Sequence, residues 1–120
     1  MKEQSNEFLY IFRGGADPKQ MSPEQMQGNM DAWFAWINNL KSKGHFKGGH
    51  PLQDGGKVLA GKKGQTVTDG PFLEGKEEVG GYILLSARDL QSAVELAKGC
   101  PALEQNGTVE VRVIQQMEGL

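Results

Sequence analysis

Cysteine is nearly absent from this chain of 120 residues, because Cys100 is its only one. A single cysteine excludes an internal disulfide and a zinc site built from cysteines, so stability has to come from packing. The lack of a disulfide framework is typical of proteins that work in a reducing compartment.

Long apolar runs are missing as well. No stretch approaches the ~20 apolar residues that cross a bilayer. Residues 1–7 (MKEQSNE) are too polar for the apolar core of a signal peptide. We therefore expect no contact with a membrane and a cytoplasmic location.

Charge of one sign is not in excess, since 13 basic residues stand against 15 acidic ones and give a formal net charge of -2. This balance excludes the strongly basic surface typical of nucleic-acid binding. Glycine-rich motifs that cradle phosphates are also lacking, so we expect no nucleotide and no cofactor. Glycine itself is plentiful, at 17 residues, and 38% of the chain is hydrophobic. Together these values predict one globular domain over residues 1–120.

The first half of the chain begins with a predicted strand and a predicted long helix. Residues 7–13 (EFLYIFR) form a short aromatic run typical of a central strand. Ser22 and Gln25 predict a capping box at the start of the helix, and Gly44 predicts its end. The helix carries one apolar stripe, formed by Met26, Met30, Trp33, Ile37 and Leu40, with Trp36 expected at its edge.

The rest of the chain continues with alternating strands and helices. Residues 44–56 are rich in glycine and proline, so we predict a connecting loop there that carries both histidines. Residues 57–60 and 65–68 predict a hairpin around the turn GKKG, and residues 79–86 predict a core strand. A second helix is expected after Ser86 and Asp89, ending near Gly99, and a last strand over residues 108–117.

This order of elements predicts a ferredoxin-like α+β fold, with two helices on one face of an antiparallel sheet. The strands hold more apolar side chains than two helices can hide, namely Phe8, Tyr10, Phe12, Tyr82, Leu84 and one face of the last strand. An uncovered apolar face is typical of a protein interface, so we expect a homodimer formed back to back.

Residues 67–81 (VTDGPFLEGKEEVGG) resemble the DGPF signature of the YCII-related family. The similarity extends through GGADP at 14–18, MSPEQMQ at 21–27, and AVELAKGCPAL at 93–103. It implies a ferredoxin-like protomer that pairs into a dimeric α+β barrel. It also implies a possible regulatory partner, because relatives with this signature are often associated with alternative sigma factors.

The chain departs from the family at its proposed active-site dyad. Shorter YCII proteins carry a histidine on the first helix and an aspartate before a proline after the second helix. Here the helix has no histidine near Trp33, and the residue before Pro101 is Cys100. The resemblance therefore gives no dyad to this chain.

Asp69 is the leading candidate for a catalytic residue. A structural role in the D-G-P-F turn is enough to explain this aspartate, because aspartate side chains bond to nearby backbone groups in turns. The alternative is that it faces a cleft as an acid, a base or a polar anchor.

The other reactive side chains offer weaker alternatives. His45 and His50 lie five residues apart with no carboxylate cluster, so we expect no metal site. A nucleophile at Cys100 is disfavoured, because a helix C-terminus opposes the thiolate. Arg13 and Arg112 are expected either to bind a ligand carboxylate or to pair with an acidic residue on a strand, Glu110 or Glu7.

Two functions fit these observations. The first is a small-molecule pocket in each subunit, lined by Tyr10, Trp33, Phe46, Asp69, Phe72 and Tyr82. If this site is catalytic, Asp69 would transfer a proton in a cofactor-independent lyase or isomerase reaction. The second is a non-catalytic accessory module linked to sigma-factor regulation.

Overall fold

The computed structural model describes residues 6–70 and 77–120. Its elements follow in the order β1 (Glu7–Arg13), α1 (Pro23–Ser42), β2 (Phe46–Pro51), β3 (Lys57–Ala60), β4 (Thr66–Asp69), β5 (Val79–Ser86), α2 (Leu90–Ala97) and β6 (Thr108–Val113). Short 3-10 helices span Pro18–Gln20, Lys62–Gly64 and Pro101–Gln105. Among these described residues, no helix has both the length and the apolar character needed to cross a membrane.

Four strands form one antiparallel sheet in the order β2-β5-β1-β6. The central strand β1 pairs on both sides, so Tyr10 lies opposite Ile83 of β5 and Val111 of β6. This is the strand order of a ferredoxin-like fold, and the predicted α+β class is confirmed. Strands β3 and β4, which lie between β2 and β5 in the sequence, form a separate two-stranded sheet.

Helix α1 begins at the predicted capping box. Ser22 Oγ accepts the backbone N–H of Gln25 at 3.1 Å, and Gln25 Oε1 accepts the backbone N–H of Ser22 at 2.8 Å. The predicted apolar stripe is buried only in the second half of the helix, where Leu40 is fully buried, whereas Met26 is 40% exposed. Trp36, expected at the edge of the stripe, is buried in the core, and its indole N–H donates to Leu96 O of α2 at 3.1 Å.

Both helices pack on the same face of the sheet. Alternate residues of β1 point toward them, and the packed side chains of the sheet and helices are Phe8, Tyr10, Phe12, Ile83, Leu85, Trp36, Leu40, Ala93 and Ala97. The Tyr10 hydroxyl donates to Ala93 O of α2 at 2.5 Å, which joins the sheet to that helix. Helix α2 begins at Asp89, as predicted, where the carboxylate accepts the backbone N–H of Ser92 at 2.8 Å.

The opposite face of the sheet, called here the open face, carries a different set of apolar residues. It includes Leu9, Ile11, Tyr82 and Leu84, which are only partly buried in the single chain. The prediction placed Phe8, Tyr10 and Phe12 among the uncovered residues, and the structure corrects this, because strand alternation turns all three toward the helices.

The predicted loop over residues 44–56 is wrong, since β2 occupies much of it. Glycine obscured this strand, yet Gly49 is what lets it pair closely with β5. A Cβ atom at Gly49 would lie 2.5 Å from Tyr82 O, so a side chain there would clash with the neighbouring backbone. The hairpin is confirmed as β3 and β4, whereas β6 ends at Val113 instead of the predicted residue 117.

Candidate functional site

Asp69 lies at the end of β4, directly across from Lys57 at the start of β3. Its carboxylate pairs with the Lys57 ammonium group and its side chain is 78% exposed. The next residue, Gly70, donates its backbone N–H to Gly56 O at 3.1 Å, which closes the base of the hairpin. Phe72, predicted to line the pocket, lies outside the described residues.

Three of the predicted pocket residues pack between the sheet and the helices. Tyr10 is completely buried and stacks on Trp36, with ring centroids 5.9 Å apart. Trp33 contacts Phe12 edge-on at 5.1 Å between centroids. Phe46 packs against the core, and Lys41 Nζ lies 5.2 Å from the centre of its ring. Their packing contacts hold the sheet and helices together.

Tyr82 lies on the open face, next to His50 of β2. The two residues are cross-strand partners, and their ring centroids are 6.0 Å apart at an interplanar angle of 61°. Within residues 6–70 and 77–120, neither the Tyr82 hydroxyl nor the His50 imidazole has a hydrogen-bond partner. Because Tyr10 and Tyr82 point to opposite faces, these two predicted residues do not line one cleft within a subunit.

Sequence reasoning missed His50 as a neighbour of Tyr82. The prediction placed His50 on irregular backbone, because two glycines and a proline surround it. No period-2 pattern marks this strand, because the register shifts between Phe46 and Gly48 and the two glycines supply no side chain to mark a face. The pairing with β5 therefore becomes visible only in the folded sheet.

Arg13, Glu110 and Arg112 form a charged group at the β6 side of the sheet. Arg13 Nη1 lies 2.6 Å from Glu110 Oε1, and Arg112 Nη1 lies 3.4 Å from Glu110 Oε2. The hydrogen bond from Arg13 is the main reason that the pKa of Glu110 is lowered. Of the two predicted roles for these arginines, the structure shows the pairing with Glu110.

A model of the YCII-related domain matches residues 9–118. The chain belongs to the YCII-related family. Among solved structures, this YCII-related protein is similar to 5-chloro-2-hydroxyhydroquinone dehydrochlorinase (TftG) from Burkholderia phenoliruptrix in complex with 2,5-dihydroxybenzoquinone. The two share 15% sequence identity over 92% of this chain and 96% of that chain, with a TM-score of 0.46. No curated protein matches the chain.

In this YCII-related protein, the residue before Pro101 is a buried thiol instead of a carboxylate. Cys100 is 1% exposed, and burial raises its pKa to about 11, so the thiolate is disfavoured at neutral pH. His45 contacts Ser86 O through Nδ1 at 2.9 Å. In the part of the chain that the structure describes, no three metal-binding side chains cluster together.

An open groove of about 890 Å³ lies between α1 and the 3-10 helix Pro101–Gln105. Carboxylates and amides line much of it, whereas none of its lining residues is a lysine or an arginine. Its polar lining residues are Asp17, Gln20, Gln25, Asn29, Asn39, Glu104 and Gln105. Sequence reasoning missed this groove, because its walls come from segments about 70 residues apart that no local spacing connects.

Proposed function

We propose that this protein is a cytoplasmic homodimer of the DGPF-signature subgroup that binds a small molecule beside Tyr82 and His50. One observation carries the proposal: two side chains that have no hydrogen-bond partner among the described residues lie together on a partly exposed apolar surface. A few convergent polar groups on an apolar wall are typical of sites that bind small molecules.

The homodimer supplies the second wall of this site. Leu9, Ile11 and Leu84 are partly exposed on the open face, and packing two copies face to face would bury them. A two-fold axis would bring the same surface of each copy together. The space left beside Tyr82 would then be enclosed, as in the dimeric barrel that the family resemblance implies.

The chemistry of the site favours a small aromatic ligand with a hydroxyl or carboxylate group. An aromatic ring can stack on Tyr82, and its polar group can bond to the Tyr82 hydroxyl or to His50. Asp69 is the proposed proton-transfer residue, taking a proton from the bound molecule in a lyase or isomerase reaction without a cofactor. Its carboxylate is exposed at the base of the hairpin, where a ligand would compete with Lys57 for it.

The first test measures ligand-induced thermal stabilisation with benzoate, 4-hydroxybenzoate and catechol. The wild-type protein should be stabilised by at least one of them, and Tyr82→Phe should reduce that shift because it removes only the hydroxyl. Ser42→Ala is the matched control, since it removes an exposed hydroxyl that bonds to Asn39 O at the end of α1. An equal shift in Tyr82→Phe and the wild type would place the ligand elsewhere.

The second test measures the homodimer by light scattering. Ile11→Lys should produce monomers, because it places a charge in the centre of the proposed interface. Leu103→Lys, on the 3-10 helix Pro101–Gln105, changes an exposed residue outside the open face and should leave the dimer intact. A wild-type monomer at micromolar concentration would remove the enclosed site.

Asp69→Asn tests the catalytic part separately. If the variant no longer turns over the ligand but is still stabilised by that ligand against thermal unfolding, proton transfer by Asp69 is supported. Unchanged turnover would remove Asp69 from the reaction and leave the binding proposal standing.

A second candidate is the accessory module that contacts a sigma factor. It is favoured by apolar surface beyond the open face, on the hairpin and on α1, where Leu59 and Phe34 are 63% and 57% exposed. Purified sigma factor should then bind the intact homodimer, and Leu59→Ser should weaken that binding. Binding that is unaffected by Leu59→Ser would argue against this surface.

A further inference from the structure

The β3–β4 hairpin carries an apolar pair that is exposed in the single chain. Leu59 and Val67 are direct cross-strand partners, so both point to the same face of the hairpin. They are 63% and 56% exposed. All eight residues of the two strands are exposed, so the hairpin projects from the rest of the chain.

A projecting two-stranded hairpin is marginally stable in water on its own. The turn lowers the stability of the isolated hairpin further, because Lys63 adopts a left-handed conformation with φ of 56°. An exposed apolar pair on such a hairpin therefore favours a state in which another surface covers it.

A second uncovered apolar surface lies on α1, and we call it the α1 flank. Met26, Met30 and Phe34 follow at steps of four residues, which places them along one side of the helix, and they are 40%, 49% and 57% exposed. Lys41 lies on the same side and reaches Phe46, so the flank faces the edge strand β2.

The hairpin and the α1 flank also have complementary charges. The turn of the hairpin carries Lys62 and Lys63, both exposed. The exposed acidic residues of α1, Glu24 and Asp31, lie at the outer border of the flank by helical spacing. Opposite charges at the rim of an apolar contact set its register and exclude other orientations.

We infer that the hairpin of each subunit docks on the α1 flank of a second copy of this chain. Leu59 and Val67 cover Met30 and Phe34, while the lysines of the turn lie beside Glu24 and Asp31. The exchange is reciprocal, so each copy gives one hairpin and receives one. This inference rests on the proposed homodimer, and adds a contact outside its open face.

Cross-linking between two different single-cysteine variants tests this contact. Leu59→Cys and Met30→Cys subunits carrying tags of different size are mixed and oxidised under mild conditions. A disulfide joining the two tags is expected, because each subunit carries only one of the two new thiols. Cys100 is buried and stays out of the reaction.

The matched control pairs Leu59→Cys with Leu103→Cys, which is similarly exposed but lies on the 3-10 helix Pro101–Gln105. A mixed disulfide should form several-fold less in this pair. Equal yields in the two mixtures would overturn the inference, and so would a disulfide that forms only in one chain carrying both Leu59→Cys and Met30→Cys.

Charge reversal gives a second, independent measurement. Lys62→Glu with Lys63→Glu should weaken association about tenfold, as judged by sedimentation. Glu24→Lys with Asp31→Lys should do the same, and combining the two sets should restore most of the affinity. Lys98→Glu, on the exposed end of α2, is the control that should change little. Absence of restoration in the combined variant would contradict the predicted pairing.

Ile11→Lys separates this inference from the proposed function. If Ile11→Lys abolishes the dimer, while Leu59→Cys and Met30→Cys subunits that retain Ile11 form no cross-link, the open-face interface stands and the hairpin contact is overturned. If Ile11→Lys leaves both the dimer and the cross-link intact, the hairpin contact stands and the open-face interface is overturned.

Discussion

At the scale of single residues, the two tyrosines show how strand alternation assigns opposite roles to similar side chains. Both lie in apolar strands, and the sequence alone favoured placing them in one pocket. In the fold, Tyr10 is buried beneath α2, where burial and then the nearby Cys100 raise its pKa. Tyr82 lies on the open face beside His50. The difference comes from position in the strand, because side chains on neighbouring strands share a face only in the correct register.

Replacing each tyrosine by phenylalanine should separate these roles. Tyr10→Phe removes the hydroxyl that donates to Ala93 O, so the free energy of unfolding should fall by about 1 kcal/mol. Tyr82→Phe removes a hydroxyl with no partner among the described residues and should leave stability unchanged. Urea unfolding of both variants measures the difference. Equal losses would contradict the assignment of the two residues to different faces.

The raised pKa of Cys100 predicts that the folded protein loses stability at alkaline pH. Its thiol pKa is raised from an ordinary value of 9.0 to about 11. Between these values the unfolded chain releases the proton while the folded chain retains it, so the folded state is destabilised progressively as pH rises through this range. Burial also raises the pKa of Tyr10, which adds to the effect in the same direction.

Urea unfolding at a series of pH values measures this loss. Cys100→Ala should flatten the dependence above pH 9, although it also creates a small cavity that lowers stability at every pH. The slope against pH, compared with that of the wild type, is therefore the decisive quantity. A variant with an unchanged slope would show that another group titrates.

At the scale of the elements, local patterns predicted the bounds of β1 and β5 and the starts of both helices, but they missed β2. Ser22 and Asp89 each bond to the backbone within their own helix, so local spacing was enough to place both starts. Strand β2 depends on pairing with β5, a partner that lies far along the chain. Glycine in its centre signals a loop in isolation, whereas in the sheet it permits close approach of two backbones.

The two adjacent glycines of β2 should respond differently to alanine. Gly49→Ala would place a methyl group against Tyr82 O and the Ile83 backbone, so it should destabilise the protein by roughly 1–3 kcal/mol. Gly48→Ala meets no atom within 4 Å and should be tolerated. Thermal unfolding compares the pair directly, with the same residue change at neighbouring positions. Similar melting temperatures would contradict the close pairing of β2 with β5.

At the scale of the whole molecule, the described chain is broad and flat, with Cα extents of 48 × 46 × 18 Å. Its radius of gyration of 16.5 Å exceeds the ~14 Å expected of a compact domain of this length. Sequence reasoning predicted the α+β class because local signals fixed the order of the elements. It could not place the ligand site, because that depends on which faces meet.

Removing the hairpin should leave the rest of the fold intact. The ends of the segment are already adjacent, since Gly70 donates its backbone N–H to Gly56 O at 3.1 Å. A short Gly-Ser linker in place of residues 57–69 should therefore close the gap at little cost. The eight strand residues removed are exposed, so the core loses little buried apolar surface and cooperative unfolding should persist.

Far-UV circular dichroism with urea unfolding tests the fold, and sedimentation of the same sample tests association. A folded variant that associates as tightly as the wild type would limit the dimer to the open face, whereas an unfolded one would show that the hairpin stabilises the sheet itself.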